Sequence, residues 1–245
     1  MSVFETVAVR DGRCLLFDQH RERLARAASE LGWPEEDFAR AALLSQPPIG
    51  PAATGVVRIY LTAGPGALGE RFAGSFYALA EDGEVGAEFP AIRVATSAAP
   101  YLPAPGGWKT GNYWQNIQAA SHARAAGAEE AILFDPSGCL LCASMANIFL
   151  EVDGRWQTPA LGTGARDGAV RAWVMENFPV EETLLGASAL GLAAAGFLTN
   201  SRVGVRAIAG IDGRPLESDV SALQRAYRTS VLGVSPPEDP VRSSP

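Results

Sequence analysis

Lysine is almost absent from this chain of 245 residues: of its 20 basic residues 19 are arginine, and the one lysine is Lys109, in "GGWKTGNY". Surface cations that only carry charge can be of either type, so a drift toward arginine would sweep them all. A desolvated lysine amine can shed its proton and attack a carbonyl, which a guanidinium does not do. Chance survival on a loop is the competing explanation at this point. Histidine is nearly as scarce. His20 lies near a helix start and His122 within a helical pattern; neither has a cysteine or carboxylate at ligand spacing, and both read as structural or exposed. The three cysteines, Cys14, Cys139 and Cys142, offer no zinc-ligand spacing and no disulfide framework, which suits a reducing compartment. No apolar run approaches the ~20 residues of a membrane span, and the charged start "MSVFETVAVRDGR" holds no signal-peptide core. These absences predict a cytoplasmic protein without a membrane partner. Basic runs are lacking too, and a formal charge of −7 argues against a nucleic-acid surface.

What is present is a globular composition, 47% hydrophobic and 19% charged, with length for one large domain or two moderate ones. In "VFETVAVRDGRCLLF", β-branched residues flank Asp11-Gly12, a dipeptide suited to tight hairpins, and predict two strands. "DQHRERLARAASELGW" predicts a helix, with Leu24, Ala27, Ala28 and Leu31 on one face, Asp18 as N-cap and Gly32 as stop. Pro34 followed by Glu35, Glu36 and Asp37 predicts the start of another. "VVRIYLTAG", "SFYALAE" and "AIRVATSA" read as strands. Beyond them, helical patterns in "NIQAASHARAAGAEEA", "DGAVRAWVMENF", "SALGLAAAG" and "SDVSALQRAYRTSVLG" alternate with strands in "AILFD", "NIFLEVDGRWQTP", "FLTNS" and "VGVRAIAGIDGRPL". Asp-Gly-Arg recurs at Asp11, Asp153 and Asp212 as turns, without wider repetition. "PYLPAPGGW", with three prolines and two glycines, reads as a linker. The expected organisation is therefore an α/β (α+β) chain of two domains: a small α+β domain over 1–99, a linker over 100–108, a larger α/β domain over 109–234 and a disordered tail over 235–245.

Taken in order, "FETVAVRDGR" with "HRERLARAASELG", then "KTGNYWQNIQAASHARAAGAEEAILFD", "ASMANIFLEVDGRWQTPAL" with "GAVR", and "FLTNSRVGVRAIAGIDGRPL" resemble the fold-type IV pyridoxal-phosphate (PLP) enzymes, the class IV aminotransferase family. Within it the likeness is greater to the 4-amino-4-deoxychorismate lyases than to the branched-chain or D-amino-acid aminotransferases. It runs from about Phe4 to Leu216. The resemblance implies pyridoxal 5'-phosphate as cofactor, a small-molecule substrate and a homodimer. It implies Lys109 as the amine that bonds the cofactor aldehyde and then serves as general base. Arg23 would grip the phosphate, where a planar fork suits an oxyanion. Backbone N–H groups of Ala169 and Val170 would face the phosphate from a helix start. Ser201 would add a hydroxyl, Tyr113 would reach the cofactor's ring hydroxyl, Asn112 would order the backbone near the lysine, and Thr6 would lie over the reacting face. Thr6 is one of the few signals that points to lyase over transaminase. Met145 reads as packing.

The chain also departs from the pattern it resembles. Cys142 stands where relatives carry the glutamate that pairs with the pyridine nitrogen, and a thiol is a poor substitute. Val170 stands where many have threonine, and Ala63 where an arginine recognises carboxylate, leaving Arg58 and Arg93 as candidates. Relatives usually begin with about 25 further residues, whose absence bears on the first sheet edge and the dimer contact, boundaries of this kind being uncertain by a few residues. Three readings remain open: a lyase making 4-aminobenzoate and pyruvate for folate synthesis, a branched-chain or D-amino-acid aminotransferase, and a non-catalytic binding protein on the inherited fold. A carboxylate elsewhere in the fold is a further way to make good the missing glutamate.

Overall fold

The computed structural model describes residues 2–33, 53–63, 75–86 and 88–234. The helix expected from Pro34 and the tail 235–245 lie outside the described residues. The first sheet is antiparallel: β1 (Ser2–Arg10) runs between the short β2 (Arg13–Cys14) and β3 (Gly55–Thr62), and β4 (Ser75–Asp82) pairs with β3. Strand periodicity assigns the two faces of β1. Val3, Val7 and Val9 pack with Leu24, Ala27 and Ala28 of α1 (Phe17–Glu30). Glu5 shares that face and interrupts it with a carboxylate. Phe4 and Thr6 fall on the other face.

Helix α1 begins differently from expectation. Leu16, at φ 49°, holds the N-cap position with no side-chain cap, and Asp18 sits in the first turn, where its charge favours the helix dipole. Its end is as expected. Gly32 (φ 68°) donates to Ser29 O and Trp33 to Ala28 O, both at 2.9 Å, the paired bonds of a Schellman stop. All three Asp-Gly pairs turn hairpins, each with positive φ at both residues.

The second sheet is mixed and has the order β10-β9-β8-β11-β12-β5-β6-β7, with β13 on β12. Its strands are β5 (Ile92–Thr96), β6 (Glu130–Phe134), β7 (Leu140–Ala143), β8 (Asn147–Val152), β9 (Arg155–Pro159), β10 (Val180–Thr183), β11 (Ala195–Asn200), β12 (Gly204–Ile211) and β13 (Arg214–Pro215). A turn of three residues joins β7 to β8, where Ala143 N donates to Ala146 O at 2.8 Å, so the sheet curls until its end meets its middle. Strand β5, read from sequence with the small domain, pairs in parallel with β12 and β6. Ile92 and Val94 bury in the core of this sheet. The change of sheet thus falls between Asp82 and Ile92, ahead of the proline-rich segment. Helices α2 (Trp114–Ala125), α3 (Ala169–Asn177), α4 (Ala187–Leu192) and α5 (Ser221–Ser230) cover the sheet.

Candidate functional site

A cavity of about 420 Å³ opens between the two sheets, within the range of small-ligand pockets. Lys109 reaches it because β2 covers only the far end of β1. The free edge of β1 is taken by residues 109–111, with Phe4 N donating to Lys109 O at 2.8 Å and Gly111 N to Ser2 O at 3.0 Å. That pairing sets Lys109 Nζ 2.8 Å from Thr6 Oγ1 and 4.5 Å from the Phe4 ring centroid. Burial brings the amine down to about 7; Glu5 opposes the shift, and Arg166, Arg23 and Arg58 add to it. An amine lowered that far is available as free base near neutral pH.

The wall behind it is built from β1 and α1. His20 and Arg23, three residues apart, share the helix face toward β1. Glu5, buried, takes Arg23 Nη2 at 2.9 Å on one oxygen and His20 Nδ1 at 2.7 Å on the other. Burial alone would raise the Glu5 carboxyl; Arg23, His20 and Lys109 outweigh it and hold the group at about 2. Because Glu5 is ionised, Nδ1 must carry the proton. Burial keeps His20 neutral against the pull of Glu5, which leaves Nε2 as acceptor for the Ser201 hydroxyl at 3.3 Å. Of the two expectations for His20, structural or exposed, the structural one holds: it is buried in the cavity wall between Glu5 and Ser201.

One end of the cavity is shaped for an anion. Helix α3 begins there at Gly168 with no side-chain cap, so its first N–H groups, those of Ala169 and Val170 among them, have no intrahelical partner. A Cβ on Gly168 would stand 2.0 Å from Asn147 Oδ1, so any larger residue would push the Asn147 side chain out of this close approach. Arg23 Nη1 and Thr199 Oγ1 are buried without a hydrogen-bond partner in the same lining. These unused donors suit a phosphate.

The opposite wall holds Tyr113 and Arg166. Arg166 Nη1 donates to Tyr113 Oη at 2.5 Å, and the guanidinium lies 5.0 Å from the Tyr113 ring. Tyr113 meets Phe4 edge-on, and Phe4 stacks on Tyr60. Burial raises the Tyr113 phenol, Arg166 opposing it, so the hydroxyl stays protonated.

Of the residues picked out by sequence, Thr6, Arg23, Lys109, Tyr113, Ala169, Val170 and Ser201 all line the cavity. Cys142 does not. Its side chain packs with Tyr101, Ala119, Ala123 and Leu133, and burial pushes its thiol up to about 11. Glu130, the carboxylate that bears on it, is buried and takes Ser144 Oγ and two backbone N–H groups, outside the cavity lining. Arg58 lines the cavity but is paired with Glu81 at 2.8 Å. Arg93 is exposed on β5 away from it, Asn112 is exposed, and Met145 is exposed at the cavity rim instead of packed. Sequence missed Arg166 and Thr199. No spacing marks either one, although Arg166 immediately precedes the recognised "DGAVR".

A family model for the class IV amino-transferases matches residues 2–211. The chain belongs to the class IV aminotransferase family. This is a family of PLP enzymes, and the free donors around Arg23 and α3 fit that cofactor's phosphate as Lys109 fits its aldehyde. Among solved structures, a branched-chain aminotransferase of Thermoproteus uzoniensis with norvaline is 26% identical with a TM-score of 0.81, over 95% of this chain and 86% of that one. A fold IV transaminase of Curtobacterium pusillum is 27% identical (TM-score 0.75; 92% and 83%). A Legionella pneumophila structure provisionally described as a 4-amino-4-deoxychorismate lyase is 24% identical (TM-score 0.77; 91% and 87%), a likeness of fold. No curated protein matches this class IV chain significantly.

Proposed function

We propose that this enzyme binds PLP through Lys109 and acts as a lyase, converting 4-amino-4-deoxychorismate to 4-aminobenzoate and pyruvate. The observation that carries the reading is the 2.8 Å hydrogen bond between Lys109 Nζ and Thr6 Oγ1. It puts a proton-carrying hydroxyl on the one amine that can act as base. When bound, the cofactor supplies an electrophilic aldehyde and an electron-accepting ring. Arg23, Ser201, Thr199 and the first N–H groups of α3 would hold its phosphate, and Tyr113 would face its ring hydroxyl. Lys109, free base near neutral pH, takes the proton from the substrate carbon, and Thr6 hands a proton toward the departing pyruvate. Cys142 stays a neutral thiol where the resemblance expects a carboxylate, so the site offers no anion to a ring nitrogen there. Elimination depends least on that anion, because the product gains an aromatic ring.

The test is to measure pyruvate release from 4-amino-4-deoxychorismate beside keto-acid formation from a panel of L- and D-amino acids. Pyruvate release well above keto-acid formation is expected; the reverse order favours the second reading, an aminotransferase, which the two transaminase structures support. A cytoplasmic homodimer completes the reading. Exposed Leu102, Trp114 and Ile117, joined by the Leu102 N to Gln115 Oε1 bond, give an apolar face for the second copy, and sedimentation tests it.

A further inference from the structure

The charges lining the cavity do not balance. Five basic side chains face it, Arg23, Arg58, Lys109, Arg166 and Arg202, against one carboxylate, Glu5. Arg23 is paired with Glu5, and Arg58 and Arg202 share Glu81 at 2.8 and 2.7 Å. Lys109 rests on Thr6 and can shed its proton. Arg166 is the remainder. Among the described residues it has no carboxylate within ion-pair distance, and its side-chain partner is the neutral Tyr113 hydroxyl.

The position of Arg166 is fixed. Asn147 Nδ2 holds its backbone carbonyl at 2.6 Å, and Tyr113 holds its guanidinium by hydrogen bond and ring face. Its partner Tyr113 meets the Phe4 ring, and Lys109 Nζ lies 4.5 Å from the centroid of that same ring, so the guanidinium shares the reacting end of the cavity while Arg23 and α3 serve the phosphate end. A guanidinium has five N–H donors, and one bond to Tyr113 leaves others unused. A half-buried cation with spare donors and no anion is built for an anionic ligand that arrives later. Both substrate classes considered above carry a carboxylate, next to the amine-bearing carbon in an α-amino acid and across the ring or on the enolpyruvyl ether in 4-amino-4-deoxychorismate.

We propose that Arg166 binds the substrate carboxylate and so selects amino acids over simple amines. This rests on the cofactor being held at Lys109. The experiment compares cofactor-loaded wild type with Arg166→Gln and Arg166→Lys by calorimetry, using two acid and amide pairs: 4-aminobenzoate with 4-aminobenzamide, and 4-methylpentanoate with 4-methylpentanamide. Loading is checked by absorbance and folding by thermal melts. Wild type should prefer the acid in at least one pair. Arg166→Gln should weaken that acid about 30-fold, the scale of a lost charge-assisted bond, and leave the amide within about twofold. Arg166→Lys, a point charge without the fork, should fall between and serves if the glutamine variant does not fold. Loaded wild type that prefers neither acid, or variants that keep the preference, overturn this inference alone. Wild type that takes up no cofactor overturns it together with the reading beneath it.

Discussion

The two walls of the cavity treat buried charge in opposite ways. On the β1–α1 wall Glu5 satisfies both His20 and Arg23, and that cluster closes on itself save for one guanidinium nitrogen. On the facing wall Lys109, Arg166 and Tyr113 stand together without a carboxylate of their own. The first arrangement holds a strand to a helix. The second leaves cationic charge near the cavity, and burial, with that charge adding to it, lowers the affinity of Lys109 for its proton. Charge that is already matched serves the fold, and charge left unmatched serves a ligand.

The contrast breaks hardest at Lys109. Lys109→Met removes the nucleophile and base together, and turnover should fall by about 10⁴ or more, since each role alone contributes on the order of 10²–10⁴. The same substitution should leave the fold sound. Because the lysine holds about 7 when folded against 10.5 as its ordinary value, the unfolded chain binds more protons between those pH values. Lys109 therefore costs stability below pH 7 and costs progressively less toward pH 10.5. Thermal melts should show Lys109→Met gaining more over wild type at pH 6 than at pH 10.

The paired wall should respond in stability. Glu5→Gln strands Arg23 beside a neutral amide and should cost about 3–5 kcal/mol in denaturant titration at pH 7, the range for breaking a buried pair. With Glu5 near 2 in the fold and 4.5 ordinarily, its contribution is present above pH 4.5 and fades as pH falls toward 2. The gap between variant and wild type should close over that window.

Smaller effects sharpen the comparison. Cofactor uptake by the apo-protein needs the free amine, so its rate should rise with a midpoint near pH 7. Arg166→Gln removes the strongest cationic neighbour and should move that midpoint upward; an unmoved midpoint would separate the two side chains electrostatically. Thr6→Val deletes one hydroxyl and should slow pyruvate release about 100-fold, the lower end of the range for a proton-transfer group, with cofactor content unchanged.

Much of the fold was legible because local rules act alone there. The three Asp-Gly hairpins and the Gly32 stop follow from backbone sterics, and the α1 stripe from helical spacing. Strand β7 was not legible, since "LLCA" is buried on both faces and shows no alternation, and β10 is a short edge strand whose "VEET" has no buried residue. Neither was the place of β5, because its partners lie more than 30 residues away in sequence. At the site, Lys109 stood out by composition. His20 and Arg166 did not, because what distinguishes each is a partner, or a missing one, supplied by another element of the fold.

The most direct test is to load the protein with PLP, reduce it with borohydride and map the modified peptide by mass spectrometry. The account predicts one pyridoxyl group per chain, on the peptide that contains Lys109, and none in Lys109→Met. A label on the N-terminal amine, or loading without any label on that peptide, would contradict it.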